Sequence, residues 1–600
     1  MFRYLAFVWD SNLADPSAAA NELGSQTRQI QVWRQVLSRP GMQVYTRGEK
    51  TGINDSHLLH DHRGVILGKL FQRQSLEQAL HPRAKEGDFD QTSSTEILNS
   101  GGLALQQQFW GRYIAFFTDK GGAHCVLRDP SGTLPCFHLQ RHGVTVVFSW
   151  LEDALQVLDA QELPRVNWNA LRAQLLHGPQ IGKGTALDGV QQVLPGERLD
   201  LKEGRPTLLW DAVHFARSPL YLPFEDAASL LRHTVRSCVQ AWAGSYDILL
   251  LRLSGGVDSS IMLSCLAAGS SPADVICLNY HSPGSNSDER HYARLAASRA
   301  GRDLLERERE PGFQLERVLQ TARMPDPVHY LGWMNSRTDA RLAAAHAAPA
   351  LFTGAGGDAL FFEISSWWPA ADYLATRGLD SGFASAALDA ARLGRTSVWR
   401  AARFALRERL TPDPALRATS GPATAFSTES SAQGMDMELF SHPAQDEAQR
   451  LPIGKFTQAT ALMQPIGYYD PFEQEAAPEL VNPLLSQPLV ELCLRLPSHL
   501  LTRGGQGRAL ARRAFENDLP APIIRRRSKG GMEEHIKAVL NANISTVREL
   551  LLDGELCRRG LIDRSRLQAQ LFDRPSTQSA SSSQIHALVA VEAWLSRWQP

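Results

Sequence analysis

The chain has 600 residues, 43% of them apolar and 21% charged, with a formal net charge of −1. That length exceeds one compact core and predicts two or more domains of a globular enzyme. Near-neutral charge provides no global field to recruit nucleic acid or an anionic membrane, and no run of about 18 apolar residues offers a membrane span.

The segment Phe2 to Trp9 is short, apolar and strand-like, and it meets Asp10 too soon for a signal peptide. Asn12 to Ser38 and Ser93 to Gln108 have helical spacing. Between them, HLLHDH carries histidines at 57, 60 and 62. That spacing suits neither a helix face nor a strand face, so a polar loop is expected there rather than a metal site. GRYIAFFTD (111–119), HCVLRDPSG (124–132) and GVTVVFSW (143–150) are β-branched and aromatic runs punctuated by Gly and Pro. They predict packed antiparallel sheets.

From about residue 224 the pattern changes. Residues 223–243 read as a helix, YDILLLRL (246–253) as a buried strand and SSIMLSCLAAG (259–269) as a helix. DVICLNYH (274–281) is strand-like, a helix follows at 288–301, and PALFT (349–353) gives another strand. Such alternation predicts a parallel sheet covered on both faces. Trp367 and Trp368 fit either a cavity wall or the core. Thr411–Gln449 and Arg574–Gln584 are rich in small polar residues and are expected to be loops or disordered. The seven cysteines form no CxxC pair and read as buried thiols of a reducing compartment, which places the chain in the cytoplasm.

The strongest motif is LRLSGGVDSSIML (251–263). A strand ends at Leu253, a Ser254-Gly255-Gly256 turn follows, and a helix begins near Asp258. Free backbone N–H groups and the positive helix end would converge on one point, with Ser254 and Ser259 adding hydroxyls, as a pyrophosphate cradle requires. Asp258 disfavours a bare anion and is expected to hold Mg²⁺ between phosphate oxygens. The GxxxxGK[ST] pattern is absent; SGGxDS resembles instead the PP-loop of enzymes that split ATP between its α- and β-phosphates. LFTGAGGDALFF (351–362) repeats the strand–Gly turn–helix order. Strands of a parallel sheet end at one edge, so Asp358 is expected to meet Asp258 across the metal, with Thr353 and Gly354 beside the nucleotide. Tyr280, at the end of the next strand, is a candidate for the adenine or ribose. In PAPIIRRRSKGG (520–531), Lys529 is the candidate for stabilising charge at the reacting centre, and the arginine run 525–527 is a candidate for phosphates or a substrate carboxylate.

Taken in order, these segments resemble the asparagine synthetase superfamily over nearly the whole chain. FWGRYIAFFTD, RDPSGTLPCFH (128–138) and TALDGVQQVLPGERLDL (185–201) are similar to its glutaminase domain. SGGVDSS, SDERHYAR (287–294), TGAGGD, VNPLLSQPLVELCLRLP (481–497) and IIRRRSKGG are similar to its synthetase domain. The resemblance implies residues 1–205 as a glutaminase-like (Ntn-type) αββα sandwich and 206–600 as an α/β ATP-pyrophosphatase domain that uses ATP and Mg²⁺.

Two departures bear on the substrate. Family glutaminases use a cysteine at the start of the mature chain, where this chain has Phe2 and no cysteine before Cys125. The glutaminase is therefore expected to be inactive, and a pre-existing amine replaces ammonia. Ala355 and Ala359 stand where the family's SGEGxDE turn has acidic residues. With the degenerate first domain and the C-terminal IHALVAVEAWLSRW (585–598), the chain looks most like lasso-peptide cyclases. Such an enzyme adenylates an Asp or Glu side chain of a leader-cleaved precursor peptide and closes a macrolactam with the peptide's N-terminal amine. A leader peptidase and a leader-binding protein would act with it. The competing expectations are a β-lactam or asparagine synthetase, and a non-catalytic peptide-binding scaffold with a nucleotide fold.

Overall fold

The computed structural model describes residues 1–73, 84–158, 163–178, 181–269, 273–282, 288–309, 313–364, 366–417, 421–427, 437–527, 530–572 and 581–598. Its N-terminal part holds two six-stranded sheets. In the first, Arg3–Trp9 lies between Met42–Arg47 and Val144–Phe148, antiparallel to both. In the second, Phe109–Thr118 lies between Gly64–Gln72 and His124–Arg128, again antiparallel. The last strand of this sheet, Pro206–Leu208, pairs with Glu197–Asp200 and so carries the first part's sheet past residue 205, where the sequence places the boundary.

Strand periodicity explains how the layers stack. Tyr4, Ala6 and Val8 meet Val65, Leu67, Ile114 and Phe116 between the sheets. Their neighbours Leu5, Phe7 and Trp9 join a cluster with Ala20 and Ala154 of the helices Ala14–Gln29 and Leu151–Val157. On the far side, Ile66, Tyr113 and Phe117 pack with Ile97 and Leu105 of the helices Gln91–Asn99 and Leu103–Gln108. The result is the expected αββα sandwich.

The helical expectation for Asn12–Ser38 fails in its second half. Arg34–Arg39 is a strand paired with Met42–Arg47. Pro40-Gly41, with Gly41 at φ +80°, turns the chain into a hairpin, and that turn overrides the spacing of the apolar residues before it. HLLHDH is not wholly the expected polar loop: His57 is buried in the strand Asp55–Leu58 with Nδ1 bonded to the Gly87 carbonyl, while His60 belongs to a short exposed turn of 3₁₀ helix.

The second part is built on a five-stranded sheet in the order Leu304–Glu308, Asp274–His281, Ile248–Arg252, Ala350–Phe352, Glu479–Val481. Every neighbouring pair is parallel. Leu249, Leu251, Cys277 and Phe352 share a core with the helices Phe224–Ala243 and Val257–Ala268. Leu250, Leu278 and Leu351 face the other way, toward Leu342 and Ala343 of the helix Ser336–Ala345. Trp367 and Trp368 pack against the first of these cores. The chain ends in helices whose Leu588, Val589 and Trp594 join the outer cluster of the first sheet. The helix Ser582–Ser596 starts in a reciprocal cap between Ser581 and Gln584, so the end of the expected 574–584 loop is a helix start, while 574–580 lies outside the described residues. Among the described residues no helix is long and apolar enough to cross a membrane.

A buried polar knot joins the two parts. Glu479, 5% exposed, opens the edge strand of the parallel sheet and accepts hydrogen bonds from Arg112 (3.1 Å), Tyr246 (3.1 Å), Tyr468 (2.8 Å) and Asn54. The Arg112 guanidinium also lies 4.3 Å from the Tyr468 ring centroid. Burial alone would lower the Arg112 pKa, but the charges around it reverse the shift and keep it cationic. Removing one partner of such a pair strands the other charge in low dielectric. Arg112→Leu is therefore expected to cost about 3–5 kcal/mol of stability in urea denaturation, and adding Glu479→Gln should recover part of that loss.

Candidate active site

Parallel pairing of Leu249–Leu251 with Ala350–Phe352 brings both Gly-rich turns to the same sheet edge. They border a cavity of about 440 Å³. Leu253, Ser254, Gly256, Ser259, Thr353 and Gly354 line it, as expected, together with Asp258 and Asp358. The helix Val257–Ala268 starts at the cavity wall with Gly256 as its N-cap and no side-chain cap on its first amides. Ser254 and Ser259 share a hydroxyl–hydroxyl bond of 3.0 Å, and the Gly256 N–H donates to Ser254 Oγ at 3.2 Å.

The glycines have distinct jobs. A Cβ on Gly256 would meet only Ser254 Oγ, at 3.3 Å, so its side of the turn is open to a ligand. Gly255 does not line the cavity. Its φ of +84° needs glycine, and a Cβ there would strike Ala293 N at 2.8 Å and Glu289 O at 2.9 Å. Gly255 thus lets the turn pack on the helix Arg290–Arg299 rather than opening space for an anion. Gly354 and Gly357 bring the second turn against the first: Cβ atoms would lie 3.0 Å from Ser259 N and 2.5 Å from Asp258 Cγ.

Asp258 and Asp358 do converge, through a residue the sequence reading missed. Arg508 donates Nε and Nη2 to Asp258 at 2.7 and 2.9 Å, pairs with Asp358, and lies 2.6 Å from Glu363 through Nη1. Burial opposes its charge, but Asp258, Glu363 and Asp358 outweigh burial and raise its pKa. Arg508 has φ +57°, a strained value for a long side chain, and it is 4% exposed. Its Gly-flanked segment RGGQGRALAR was the signal available in the sequence.

The rest of the rim is cationic. Arg526 and Arg527 line the cavity, whereas Arg525 is exposed at a helix end. Arg526 bonds Glu289 and lies 4.0 Å from the Tyr292 ring, yet its Nε and Nη1 are buried without a hydrogen-bond partner among the described residues. Arg309 also lines the cavity; burial, then Arg252, lower its pKa. Tyr280 stands in the wall with its hydroxyl committed to Asp339 at 2.7 Å. Arg252 pairs with the same buried Asp339. Tyr280 therefore offers a ring face rather than a free hydroxyl. Lys529 lies outside the described residues, between Arg527 and Gly530, which both line the cavity.

Orphaned guanidinium nitrogens, an uncapped helix start and an open glycine turn fit a polyphosphate. Asp258 and Asp358 beside them would hold Mg²⁺, which would neutralise phosphate charge; among the described residues no group of three or more His, Cys, Asp or Glu is arranged to hold a metal.

Residues 227–596 match the asparagine synthase family. No curated protein matches the chain. A solved structure described as that of the allosteric regulatory enzyme of purine biosynthesis is similar at 10% identity, over 52% of this chain and 81% of its own, and its TM-score of 0.21 carries no argument.

The glycine assignment gives a paired test. Gly357→Ala is expected to displace Asp258 and cost about 1–3 kcal/mol in thermal or urea unfolding, as overpacking does. Gly256→Ala should leave stability within about 1 kcal/mol while weakening the stabilisation that added ATP confers.

Proposed function

Since the chain belongs to the asparagine synthase family, and so is an ATP-dependent amide-bond ligase, we propose that it adenylates a carboxylate of a leader-cleaved peptide and closes a macrolactam with the peptide's own N-terminal amine. The observation that carries the chemistry is the convergence of Asp258 and Asp358 at a cavity rimmed by unsatisfied arginine nitrogens. The argument for a pre-existing amine comes from the first part of the chain. Its two cysteines, Cys125 and Cys136, are buried, and burial pushes their thiols up to about 12 and about 11. Neither supplies the thiolate that glutamine hydrolysis needs.

In this reading residues 1–205 are scaffold and 206–600 carry the reaction. Leu253, Ser254, Gly256, Ser259, Thr353 and Gly354 seat the nucleotide, Gly255 fixes the turn, and the Tyr280 ring borders the adenine or ribose. Arg526 and Arg309 take phosphate or carboxylate charge. Asp258 and Asp358 would hold Mg²⁺, which neutralises phosphate charge when bound. A carboxylate oxygen attacks phosphorus-α, the bond to the β-phosphate bridging oxygen breaks, and pyrophosphate leaves. The amine then adds to the acyl carbon, loses its proton, and AMP departs with the acyl–oxygen bond electrons. An α-amine has a reference pKa of about 8, so a sizeable fraction is neutral near pH 7.5 and needs little base assistance. That fits a turn with Ala355 and Ala359 in place of acids. Lys529 is the proposed stabiliser of charge in both steps. Seven free cysteines and a need for ATP suit a cytoplasmic enzyme, acting beside a leader peptidase and a leader-binding protein.

Incubation with ATP, Mg²⁺ and leader-free synthetic peptides bearing an internal Asp or Glu should release pyrophosphate and yield a product lighter by one water. Asp258→Asn, Asp358→Asn and Lys529→Ala should each lower that release by about a hundredfold or more; Asp258→Asn should also lower the melting temperature, because buried Arg508 loses its two-nitrogen partner, so its loss of activity is read on protein shown to be folded. Asparagine formed from aspartate, ATP and an ammonia source would overturn the peptide assignment. Full activity in both aspartate variants would overturn the site.

A further inference from the structure

A second cavity, of about 420 Å³, shares a wall with the catalytic one. Leu331 lines both, and the segment from Asp326 to Asn335 runs from one to the other. The new cavity lies between the two parts of the chain. Gln174 and Leu175 come from the helix Trp168–His177, and Ala587, Ala590 and Val591 come from the final helix Ser582–Ser596. Its volume falls in the range of small-ligand sites, and its lining is largely apolar.

Asp326 is the one Asp, Glu, Lys or Arg in that lining among the described residues. Its Oδ1 accepts from Gln174 Nε2 at 2.7 Å and from the Ala186 N–H at 2.9 Å. Those two donors fix the carboxylate and leave Oδ2 without a partner among the described residues. Among the described residues no cation pairs with this partly buried carboxylate, whereas Asp339 and Glu479 each have an arginine. Burial lifts its pKa to about 6, and a bound cation would favour the charged form further. The neighbouring His329 is exposed, has its pKa lowered, and forms no ion pair with Asp326 among the described residues. The wall is also well anchored. Tyr330 bonds His586 of the final helix and stacks on Phe313 at 5.9 Å, while Trp594 Nε1 donates to the Met324 carbonyl at 2.7 Å. A fixed, unpaired carboxylate in an apolar cavity beside a reaction centre is the arrangement that selects a cation on an apolar stem.

We propose that this cavity is a specificity pocket for a cationic substrate side chain, an ammonium or guanidinium, with Asp326 as its counter-ion. The inference deepens the peptide reading above and depends on it for the identity of the substrate. The test reads binding without ATP and so stands apart from turnover. Blocked single residues are the probes: N-acetyl-lysine and N-acetyl-arginine methylamides, with the norleucine and citrulline analogues as neutral counterparts. Titrated into the full chain by calorimetry or saturation-transfer NMR, the cationic probes should bind at least about tenfold more tightly than their neutral counterparts. The lysine and arginine arms tell which cation is preferred. Asp326→Asn should erase the preference while neutral-probe binding persists. Gln192→Lys, which adds a competing charge to the lining while leaving Asp326 in place, should do the same if the first variant folds poorly. Asp258→Asn should keep the preference, so failure of the adenylation reading would leave this result untouched. Charge-blind binding, no binding of any probe, or a preference that survives both Asp326→Asn and Gln192→Lys would overturn the pocket.

Discussion

Three residue pairs hold the site together: Leu249 with Ala350, Leu250 with Leu351, and Leu251 with Phe352. In a parallel ladder, register fixes where both strands end, and a slip of one residue would turn every side chain to the opposite face. Here both faces are buried in separate apolar clusters, so a slip is costly on either side. The register therefore determines that the turns after Leu253 and Phe352 emerge side by side. The glycines at 354 and 357 then convert proximity into contact, since any side chain there would push the Asp258 turn away.

Convergence of two carboxylates would be self-defeating without a cation. Arg508 supplies it from a segment about 250 residues downstream of Asp258, which makes the resting site a compact charge cluster and not a repulsive pair. Its fork geometry lets one side chain bind Asp258 through two nitrogens while engaging Asp358 and Glu363. A metal held by the same aspartates must share them with this guanidinium or displace it. The arginines at 309, 526 and 527 stand at the same cavity with much less pairing, as an incoming polyanion requires.

The strand–turn–helix motifs were legible because their physics is local. A buried apolar run, glycines that permit a tight turn, and a polar residue opening a helix lie within a dozen positions in SGGVDSS and again in TGAGGD. The αββα order was legible only in outline. Gly64–Gln72, GVILGKLFQ, went unread although it is the longest partner of Phe109–Thr118; its inward Lys69 and two glycines interrupt the alternation that marks a strand. Arg34–Arg39 was read as helix because a short amphipathic strand and a helix end share their spacing until the Pro-Gly turn decides. Arg508, Glu363 and Arg309 were beyond reach for another reason. Each acts through partners far away in sequence, and no local pattern encodes a tertiary encounter. Gly255 shows the opposite limit: the motif marked the residue correctly, while its reason, packing on Ala293 and Glu289, is tertiary.

Long-range polar ties bind the sandwich to the second part of the chain. Arg112 of its central strand is neutralised by Glu479 from the edge of the parallel sheet, and buried Arg3 lies 3.4 Å from the exposed Glu475 of the second part. Tyr469 donates to the Phe2 carbonyl at 2.9 Å. The final helix, in turn, packs its apolar face into the same cluster as Leu5 and Phe7. The Arg112–Glu479 tie is buried at both ends, and losing either partner would strand the other's charge, which couples the stability of the two parts. The cavity holding Asp326 is formed where these halves meet. The knot around Glu479 thus holds together the two parts that form the walls of that cavity.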